Sequence, residues 1–377
     1  MNGRFRISAN TLAVAMAAVL SVPAFVAAQS SGAATKTDAK TAAKAAASTK
    51  GWTVPRTADG KPDLGGYWTS LSFTPMERPA KYGNREFLSD KETQEVFDAG
   101  VKHTFDGDAG SGDAENDPSS ADYDFKTYGL SPWQNGVRPN HRTSLVVDPP
   151  DGRIPPLTAE AKARRTRGNG ANGGDYYAAP ATGDNFQGMV HADVPTDLGV
   201  RTSCVSMSGG PPIVPGGYNS GLFILQSPQT VVIEAEYGTE VRVVAMEGQP
   251  HAGPNIHQWH ADARGHWEGD TLVVESTNFR PESVYRNANP KTLKITERFK
   301  RVDKETIEYS FTIDDPSTWT KPWTAVVPLS TVQGPLFEYD CSENNMDGVN
   351  IMAGARMVEK AAADKAKAKA GVPISQK

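Results

Sequence analysis

The sequence has little cysteine and lacks several short motifs that mark common enzyme classes. Its two cysteines are too few for a disulfide scaffold, and no Cys-x-x-Cys pair is present for zinc or redox chemistry. The Gly-x-Ser-x-Gly and His-Glu-x-x-His motifs are also absent, which removes the simplest serine hydrolase and the helical zinc metalloprotease. The net charge of −5 gives no excess of basic residues, so binding of nucleic acid is not expected.

Long apolar runs are missing beyond the N-terminus, so nothing after it is expected to cross a membrane. At the N-terminus, Arg4 and Arg6 precede an apolar stretch from Leu12 to Val26, and Ala27 and Ala28 are the small residues that signal peptidase requires. The sequence therefore predicts a signal peptide over 1–28, with cleavage before Gln29, and a periplasmic or secreted chain. Cleavage removes two positive charges and changes the net charge from −5 to −7. An uncleaved anchor is the alternative.

The remaining chain has enough apolar residues for a core, 38% of 377, and a length that suits one large domain or two modest ones. Residues 29–50 contain no aromatic residue and no Leu, Ile or Val, which predicts a flexible leader. Residues 358–377 alternate Lys with Ala and lack an apolar stripe, which predicts a solvated tail with a frayed helix. The folded body is expected over 51–357.

The first part of the body, residues 51–220, is rich in Pro, Gly and Asp and predicts mostly loops. A short helix is expected over Ser89–Asp98, because Ser89 can cap it and Glu92 stands at the capping-box spacing. A second helix is expected over Thr158–Arg167, with Thr158 as its cap.

The second part, residues 221–357, predicts strands separated by turns. The alternation of apolar and polar residues in Ile307–Ile313 is typical of a sheet with one wet face. The predicted strands are Leu222–Gln226, Thr230–Glu236, Glu240–Met246, Thr271–Ser276, Leu293–Lys300, Thr306–Ile313, Trp323–Leu329 and Leu336–Cys341. Because no helices alternate with them, we expect a mainly β fold, an antiparallel barrel or sandwich formed by this C-terminal part.

Four blocks of the body are distinctive as sequence: Asp63–Trp68, Arg142–Thr158, Gly265–Val274 and Asp314–Thr324. Together they resemble a family of exported bacterial proteins, common in Acidobacteria and Proteobacteria, whose activity is uncharacterised. The resemblance covers roughly residues 51–357. It implies a secreted single body and supplies no catalytic residue.

Histidine density is the most informative local feature. Four of the seven histidines, His251, His257, His260 and His266, lie within sixteen residues. Imidazole is suited to proton transfer near neutral pH. We therefore expect acid–base chemistry by His257 and His260 with Asp262 and Glu268, the carboxylates in the same stretch. A solvated hairpin without chemistry is the alternative.

Metal binding stays open at two places. The spacing of His257 and His260 is a weak metal signal, although a divalent metal on the His251–His266 segment remains an alternative. The acidic run Asp106–Asp113 departs from the EF-hand loop, with Ser111 at its sixth position and Asp117 at its twelfth. We therefore expect an acidic disordered loop there, with a loosely held calcium ion as the alternative. Otherwise we expect no cofactor.

Aromatic residues predict where a small ligand would bind. Trp259 and Trp267 lie in the histidine segment beside Arg264, which we expect to act as an electrophilic clamp. Trp319 and Trp323 would line an apolar pocket if they faced the inside of a small barrel. The alternative is that these rings fill the core.

Cys204 and Cys341 are predicted to form a disulfide, because two thiols usually pair in an oxidising compartment. The bond would join the loop-rich part to the last predicted strand. A nucleophilic cysteine is the alternative.

These observations favour an exported enzyme, a lyase, hydrolase or isomerase that acts on a small molecule without a nucleotide cofactor. A non-catalytic periplasmic ligand-binding or envelope-associated protein is the second hypothesis. The sharpest expectation concerns the Asn255–Asp270 segment, which should lie at a barrel mouth. At least one of His257, His260 and His266 should be within hydrogen-bond reach of a carboxylate.

Overall fold

The strands that the structure describes form one large sheet. A computed structural model describes residues 52–105, 136–167, 204–207, 210–216, 219–343 and 345–369. The ten strands in this part of the chain are β1 (Gly66–Thr69), β2 (Val146–Asp148), β3 (Gly221–Gln226), β4 (Thr230–Ala235), β5 (Glu240–Met246), β6 (Asp262–Glu268), β7 (Thr271–Thr277), β8 (Lys294–Arg301), β9 (Thr306–Asp314) and β10 (Trp323–Thr331).

Nine of these strands close into a barrel. Strands β3 to β10 follow one another in chain order around the wall, and β1 pairs with β3 on one side and with β10 on the other. Strand β2 lies outside this ring and pairs with another part of β10. The predicted mainly β class is confirmed, and of the two predicted architectures the chain adopts the barrel.

The barrel is mixed, whereas the sequence predicted an antiparallel sheet. Strands β5 and β6 are parallel, with Val244 opposite Ala263 and Met246 opposite Gly265. Parallel neighbours require a connection that returns the chain to the end at which the first strand began. The histidine-rich stretch 247–261 is that connection. Because this loop has no regular sequence pattern, the sequence did not predict that β5 and β6 would be parallel.

The barrel also does not arise from the C-terminal part alone. Strand β1 comes from the stretch predicted to be mostly loops, and its Trp68 is buried in the common core. The described residues accordingly belong to one compact unit, Gly51–Lys377, with no boundary near residue 220. The predicted signal peptide, the leader, the acidic run 106–113 and the end of the tail lie outside the described residues.

The predicted strand Leu336–Cys341 is wrong, because this stretch has no strand pairing. Once β1 closes the barrel, β10 is flanked by β9 on one side and by β1 and β2 on the other, which leaves no edge for another strand. Instead, Tyr339 packs its ring edge-on against Tyr237, with 4.9 Å between centroids. The predicted disulfide is confirmed: Cys204 and Cys341 are bonded, which fixes the loop around Cys204 to this segment.

Both predicted helices form with the expected caps. Helix α1 spans Asp90–Phe105; its Glu92 N–H donates to Ser89 Oγ at 3.3 Å, and Glu92 Oε2 accepts the Ser89 N–H at 2.9 Å. Helix α2 spans Ala159–Arg167 and is capped by Thr158 Oγ1. A third helix, α3, spans Asp347–Lys369 and so begins before the predicted tail. Among the described helices, none combines the length and apolar character needed to span a membrane.

The core fills the inside of the barrel. Alternate residues of each strand point inward, as in β9, where Ile307, Tyr309, Phe311 and Ile313 are all fully buried. Several of the largest buried side chains of the protein are aromatic and meet ring to ring there. Bulky interior side chains are what an eight- or nine-stranded barrel needs to be filled.

Candidate functional site

The histidine-rich segment lies at one end of the barrel wall, where β6 begins and β7 ends. Asp262 is the first residue of β6 and stands opposite Thr277, the last residue of β7. Ala263 and Gly265 lie at buried positions of β6, whereas Arg264 and His266 alternate onto the outer face. Asp262 shares the outer face by this alternation, and the returning stretch 247–261 covers it.

Close packing of the parallel pair explains why glycine stands within β6. A Cβ atom at Gly265 would lie 2.6 Å from Met246 Sδ and 2.9 Å from Val244 Cγ1, both on β5. Such distances are shorter than van der Waals contact, so a larger residue would push the two strands apart. Because β5 and β6 pack this closely, Asp262 at the start of β6 lies beside the 247–261 segment that follows β5.

A His–Asp pair is the central feature of this end of the barrel. Asp262 is buried, with 1% of its side chain exposed, and its Oδ2 lies 3.0 Å from Nδ1 of His251. The ring of His251 is partly open to solvent, at 31%. A carboxylate on Nδ1 favours the tautomer that carries its proton there. Nε2 is then the nitrogen that can accept a proton from a bound molecule.

Two further donors hold the Asp262 carboxylate in place. The Ala252 N–H donates to Oδ2 at 2.7 Å. Arg264 places one guanidinium nitrogen 2.5 Å from Oδ1, as an ion pair without hydrogen-bond geometry. Donors and a cation placed in this way compensate for the burial of a carboxylate. Asp262 therefore both anchors the loop at Ala252 and orients the His251 ring.

Backbone conformation on either side of the pair is unusual. Ala261, just before β6, and Asn278, just after β7, have φ of 61° and 57°, in the left-handed region that non-glycine residues rarely adopt. The Asn278 Nδ2 donates to the carbonyl of Ala252 at 2.9 Å, which ties the end of β7 to the loop that carries His251. Thr277 Oγ1 is 3.3 Å from His251 Nδ1. Such conformations persist where surrounding contacts impose them.

Glu275 adds a second carboxylate to the same outer face. Its pKa is lowered, first by the hydrogen bond from Lys294, whose Nζ lies 2.6 Å from Oε1, and also by the nearby charges of Lys294, His251 and His266. Glu275 therefore stays ionised to lower pH than an unperturbed glutamate and contributes negative charge near both imidazoles.

The expectation that one of three named histidines approaches a carboxylate is met by His266. Its Nε2 lies 3.3 Å from Glu268 Oε1, and Glu268 is also paired with Arg298. Both side chains of the His266–Glu268 pair are about half exposed. Exposed pairs of this kind are worth little and orient a ring weakly, so this contact is less suited to catalysis than the pair at His251.

His257 and His260, the histidines favoured by the sequence, contact backbone carbonyls instead. His257 Nδ1 is 3.0 Å from the carbonyl oxygen of Phe279, and His260 Nδ1 is 3.1 Å from that of Gly210. These contacts fasten the loop to neighbouring segments. In the part of the chain that the structure describes, no group of three or more His, Cys, Asp or Glu side chains is arranged to hold a metal ion.

The predicted ligand-binding residues are dispersed. Trp259 is stacked under the guanidinium of Arg280, 4.4 Å from the ring centroid. Trp267 packs against the core from the inner face of β6, while Trp319 and Trp323 are buried within the core and meet edge-on at 5.9 Å. Arg264 is engaged with Asp262 and with the Pro250 carbonyl, 3.0 Å from its Nε. The two buried tryptophans therefore follow the core-filling alternative.

Sequence reasoning missed an ionic cluster inside the barrel. Arg242 on β5 makes two hydrogen bonds with Glu297 on β8, at 2.9 and 3.0 Å, and both side chains are at most 2% exposed. The Tyr309 hydroxyl donates to Glu297 at 2.9 Å and accepts the Ile213 N–H at 3.0 Å. Burial, reinforced by the charge of Glu297, raises the pKa of Tyr309 well above its usual range.

A signal for this cluster was present in the sequence. Arg242 is in phase with the buried Val244, and Glu297 is in phase with the buried Ile295 and Phe299. Charged residues at apolar positions of the alternation indicate buried partners, because an unpaired charge there would be too costly. His251 was among the four clustered histidines, but its distance of eleven residues from Asp262 gave no hint of their contact.

Comparison with known proteins adds no family: no family model, curated protein or solved structure matches this chain. The resemblance of the four sequence blocks to exported bacterial proteins stays a prediction.

Proposed function

We propose that the protein is an exported enzyme that acts on a small molecule by general acid–base chemistry, with His251 as the proton-transferring group. The observation that carries this proposal is the 3.0 Å contact between His251 Nδ1 and the buried Asp262 carboxylate. In catalytic His–Asp pairs the carboxylate fixes the tautomer and stabilises the imidazolium, while the second ring nitrogen exchanges the proton. His251 takes the role that the sequence assigned to His257 and His260.

The chemistry follows from this geometry. Nε2 of His251 removes a proton from the substrate or from a water molecule, and the resulting imidazolium is stabilised by Asp262. The same nitrogen then returns the proton to the leaving group or to another carbon. Hydrolysis, elimination and isomerisation all consist of such steps, so the three reaction classes share the one site.

Export is part of the proposal. It rests on the charged and apolar N-terminal stretch and on the Cys204–Cys341 bond, because disulfides form and persist in oxidising compartments. The proposed location is the periplasm or the exterior of the cell.

Two kinds of probe test the enzymatic proposal. Release of p-nitrophenol from p-nitrophenyl acetate measures hydrolysis, and deuterium uptake from D₂O at carbon next to a carbonyl, in a panel of keto acids and keto sugars, measures proton abstraction. We expect turnover by the native chain and a loss of about 100-fold or more in His251→Gln, the range that general acid–base groups contribute.

His257→Gln and His266→Gln are the matched controls, because each removes one imidazole from the same segment without touching Asp262. They should retain activity within about threefold, which is the scatter of context-dependent effects rather than loss of a catalytic group. Equal rates in His251→Gln and in the two controls would contradict the role of His251, and an inactive native chain would contradict the enzymatic proposal.

The second candidate is a non-catalytic binding protein of the cell envelope. It is favoured by the backbone contacts of His257 and His260, which are typical of structural histidines. In that case, saturable binding of a small molecule would remain unchanged in His251→Gln, without turnover of any probe.

A further inference from the structure

The backbone next to His251 is held at both of its polar groups. The Ala252 N–H donates to Asp262 Oδ2 at 2.7 Å, and the Ala252 carbonyl accepts a hydrogen bond from Asn278 Nδ2 at 2.9 Å. Asp262 begins β6, and Asn278 directly follows the end of β7, the strand that pairs with β6. Side chains from two neighbouring strands therefore fix the residue that follows His251.

The two side chains differ in what else they hold. The Asp262 carboxylate also contacts the His251 ring, so its removal would take away the partner of the imidazole together with the backbone anchor. The hydrogen bonds of the Asn278 amide go to the backbone of the loop, to the carbonyl of Ala252 and, at 3.4 Å, to that of Gly253. Asn278 therefore holds the loop, whereas Asp262 holds both the loop and the ring.

The backbone of Asn278 is adapted to this contact. Its φ of 57° lies in the left-handed region, which asparagine tolerates better than most residues because its short polar side chain forms local hydrogen bonds. Its own carbonyl accepts the Gln258 N–H at 3.1 Å, so the same residue holds the loop a second time before the chain enters β6. Backbone conformations of this kind cluster at functional sites.

The loop between these two anchors has little packing of its own. All residues from Gly253 to Gln258 are exposed, so hydrogen bonds rather than burial determine where this part of the loop lies. His251 Nδ1 lies 3.0 Å from Asp262 Oδ2. A shift of about 1 Å would break this contact, because hydrogen bonds do not extend beyond about 3.5 Å.

We propose that Asn278 is a positioning residue of the candidate site, because it holds the Ala252 carbonyl and thereby keeps the His251 ring against the Asp262 carboxylate. Its effect on turnover rests on the proposed function, whereas its effect on the ring does not. Displacement of a reacting group by about 1 Å lowers a rate by up to about 100-fold, even when the substituted residue is remote from the chemistry.

Asn278→Gly isolates the contribution of the amide. Glycine adopts a positive φ readily and keeps the backbone carbonyl that accepts the Gln258 N–H, so the bonds to the loop carbonyls are the ones that are lost. Asn278→Asp is the second variant, because it keeps the size of the side chain but has no N–H to donate. The matched control is Asn219→Gly, which makes the same replacement at another positive φ, of 45°, outside the 247–261 stretch.

The tautomer of His251 is the first readout. NMR of the full chain with isotopically labelled histidine nitrogens gives separate signals for Nδ1 and Nε2, and the signals of His251 are assigned by their absence in His251→Gln. At alkaline pH, where imidazole is neutral, the proton should reside on Nδ1 in the native chain and in Asn219→Gly. In both Asn278 variants the two tautomers should be mixed.

Unchanged protonation of Nδ1 in both Asn278 variants would overturn the proposal. Circular dichroism and the melting temperature check the fold of each variant. Loss of folding, or a lower melting temperature with the native tautomer and native turnover, would show that Asn278 is a structural residue only and would also overturn the proposal.

Turnover is the second readout. With a probe that the native chain converts, kcat of Asn278→Gly should fall about tenfold while KM stays within about threefold, because the orientation of the base is lost and contacts with the substrate are kept. A rise in KM with native kcat would contradict a positioning role. Absence of turnover in the native chain would contradict the proposed function, and the tautomer of His251 would then decide the role of Asn278 by itself.

Discussion

The interior cluster and the loop pair join similar groups in different surroundings. Inside the barrel, Glu297 is bound to Arg242 and Tyr309, and all three side chains are buried. At the end of β6, Asp262 is equally buried, but its partner His251 is partly open to solvent. A buried carboxylate is thus no evidence of function by itself. The access of its partner to solvent separates a structural cluster from a candidate site.

The comparison predicts that interior substitutions reduce stability, whereas substitutions at His251 reduce function. The largest effect is expected for Arg242→Ala, which leaves Glu297 buried and without its cation. Breaking a buried ion pair from one side costs about 3–5 kcal/mol. Urea unfolding measures this loss of unfolding free energy.

Its control is Arg242→Met/Glu297→Leu, which removes both charges and keeps the volume. The double variant should recover most of the loss, because apolar replacements of buried pairs are often neutral. A loss below about 1 kcal/mol in the single variant, the level of an exposed pair, would show that the cluster is not desolvated.

Asp262→Ala is expected to have the next largest effect on stability. It removes the acceptor of the Ala252 N–H and the partner of both His251 and Arg264. Losing a charged acceptor of this kind costs about 2–3 kcal/mol. Glu268→Ala, which breaks an exposed pair on the same strand, is the matched control and should cost less than about 1 kcal/mol. Equal losses of stability in the two variants, measured by thermal unfolding, would refute the distinction between the buried and the exposed carboxylate.

Tyr309→Phe is expected to cost about 1–2 kcal/mol, because it removes one hydrogen bond to Glu297 and the acceptor of the Ile213 N–H. The ring packing against Phe299 is retained. Hydrogen exchange should show faster exchange at Ile213 than in the native chain. Unchanged exchange there would mean that the amide has another acceptor.

His251→Gln should change the free energy of unfolding by less than about 1 kcal/mol, because His251 is partly exposed and its neighbours keep other partners. A small loss of stability together with the large loss of activity expected above would distinguish His251 from the structural groups of the interior. A stability loss as large as that of Asp262→Ala would place His251 among the structural groups.

The smallest effect concerns the cap of α1 and depends on pH. Arg85 and the Ser89 backbone and side chain lower the pKa of Glu92 from 4.5 to about 2. Because the folded pKa lies below the unfolded one, this stabilisation is present above pH 4.5 and is lost as the pH falls toward about 2. Glu92→Gln should therefore weaken the dependence of the melting temperature on pH in that window. If the melting temperatures of the native chain and of Glu92→Gln changed with pH in the same way, the prediction would be contradicted.

Local patterns predicted the parts of this fold whose energies are local. The cap of α1 could be predicted because Ser89 and Glu92 satisfy each other within one turn. The strands of residues 221–331 could be predicted from alternation, apart from β6, whose histidines, glycine and charges hide the period. The first strand was missed because four residues carry too short a pattern.

The candidate site could be predicted only as a segment. Four histidines within sixteen residues directed attention to 251–266, and Asp262 was among the residues predicted for that segment. The choice among the histidines could not be made, because the contact of His251 with Asp262 depends on where the loop after β5 returns to the barrel.

By itself, the sequence determined the mainly β class, the two capped helices and the Cys204–Cys341 pair, because each follows from alternation, neighbouring groups or the count of thiols. Only the tertiary structure decided the closure of the barrel through β1, the parallel pairing of β5 with β6, and the partners of Arg242 and Asp262. These features join residues far apart in the chain. Their energies depend on burial and distance, which no short window of sequence contains.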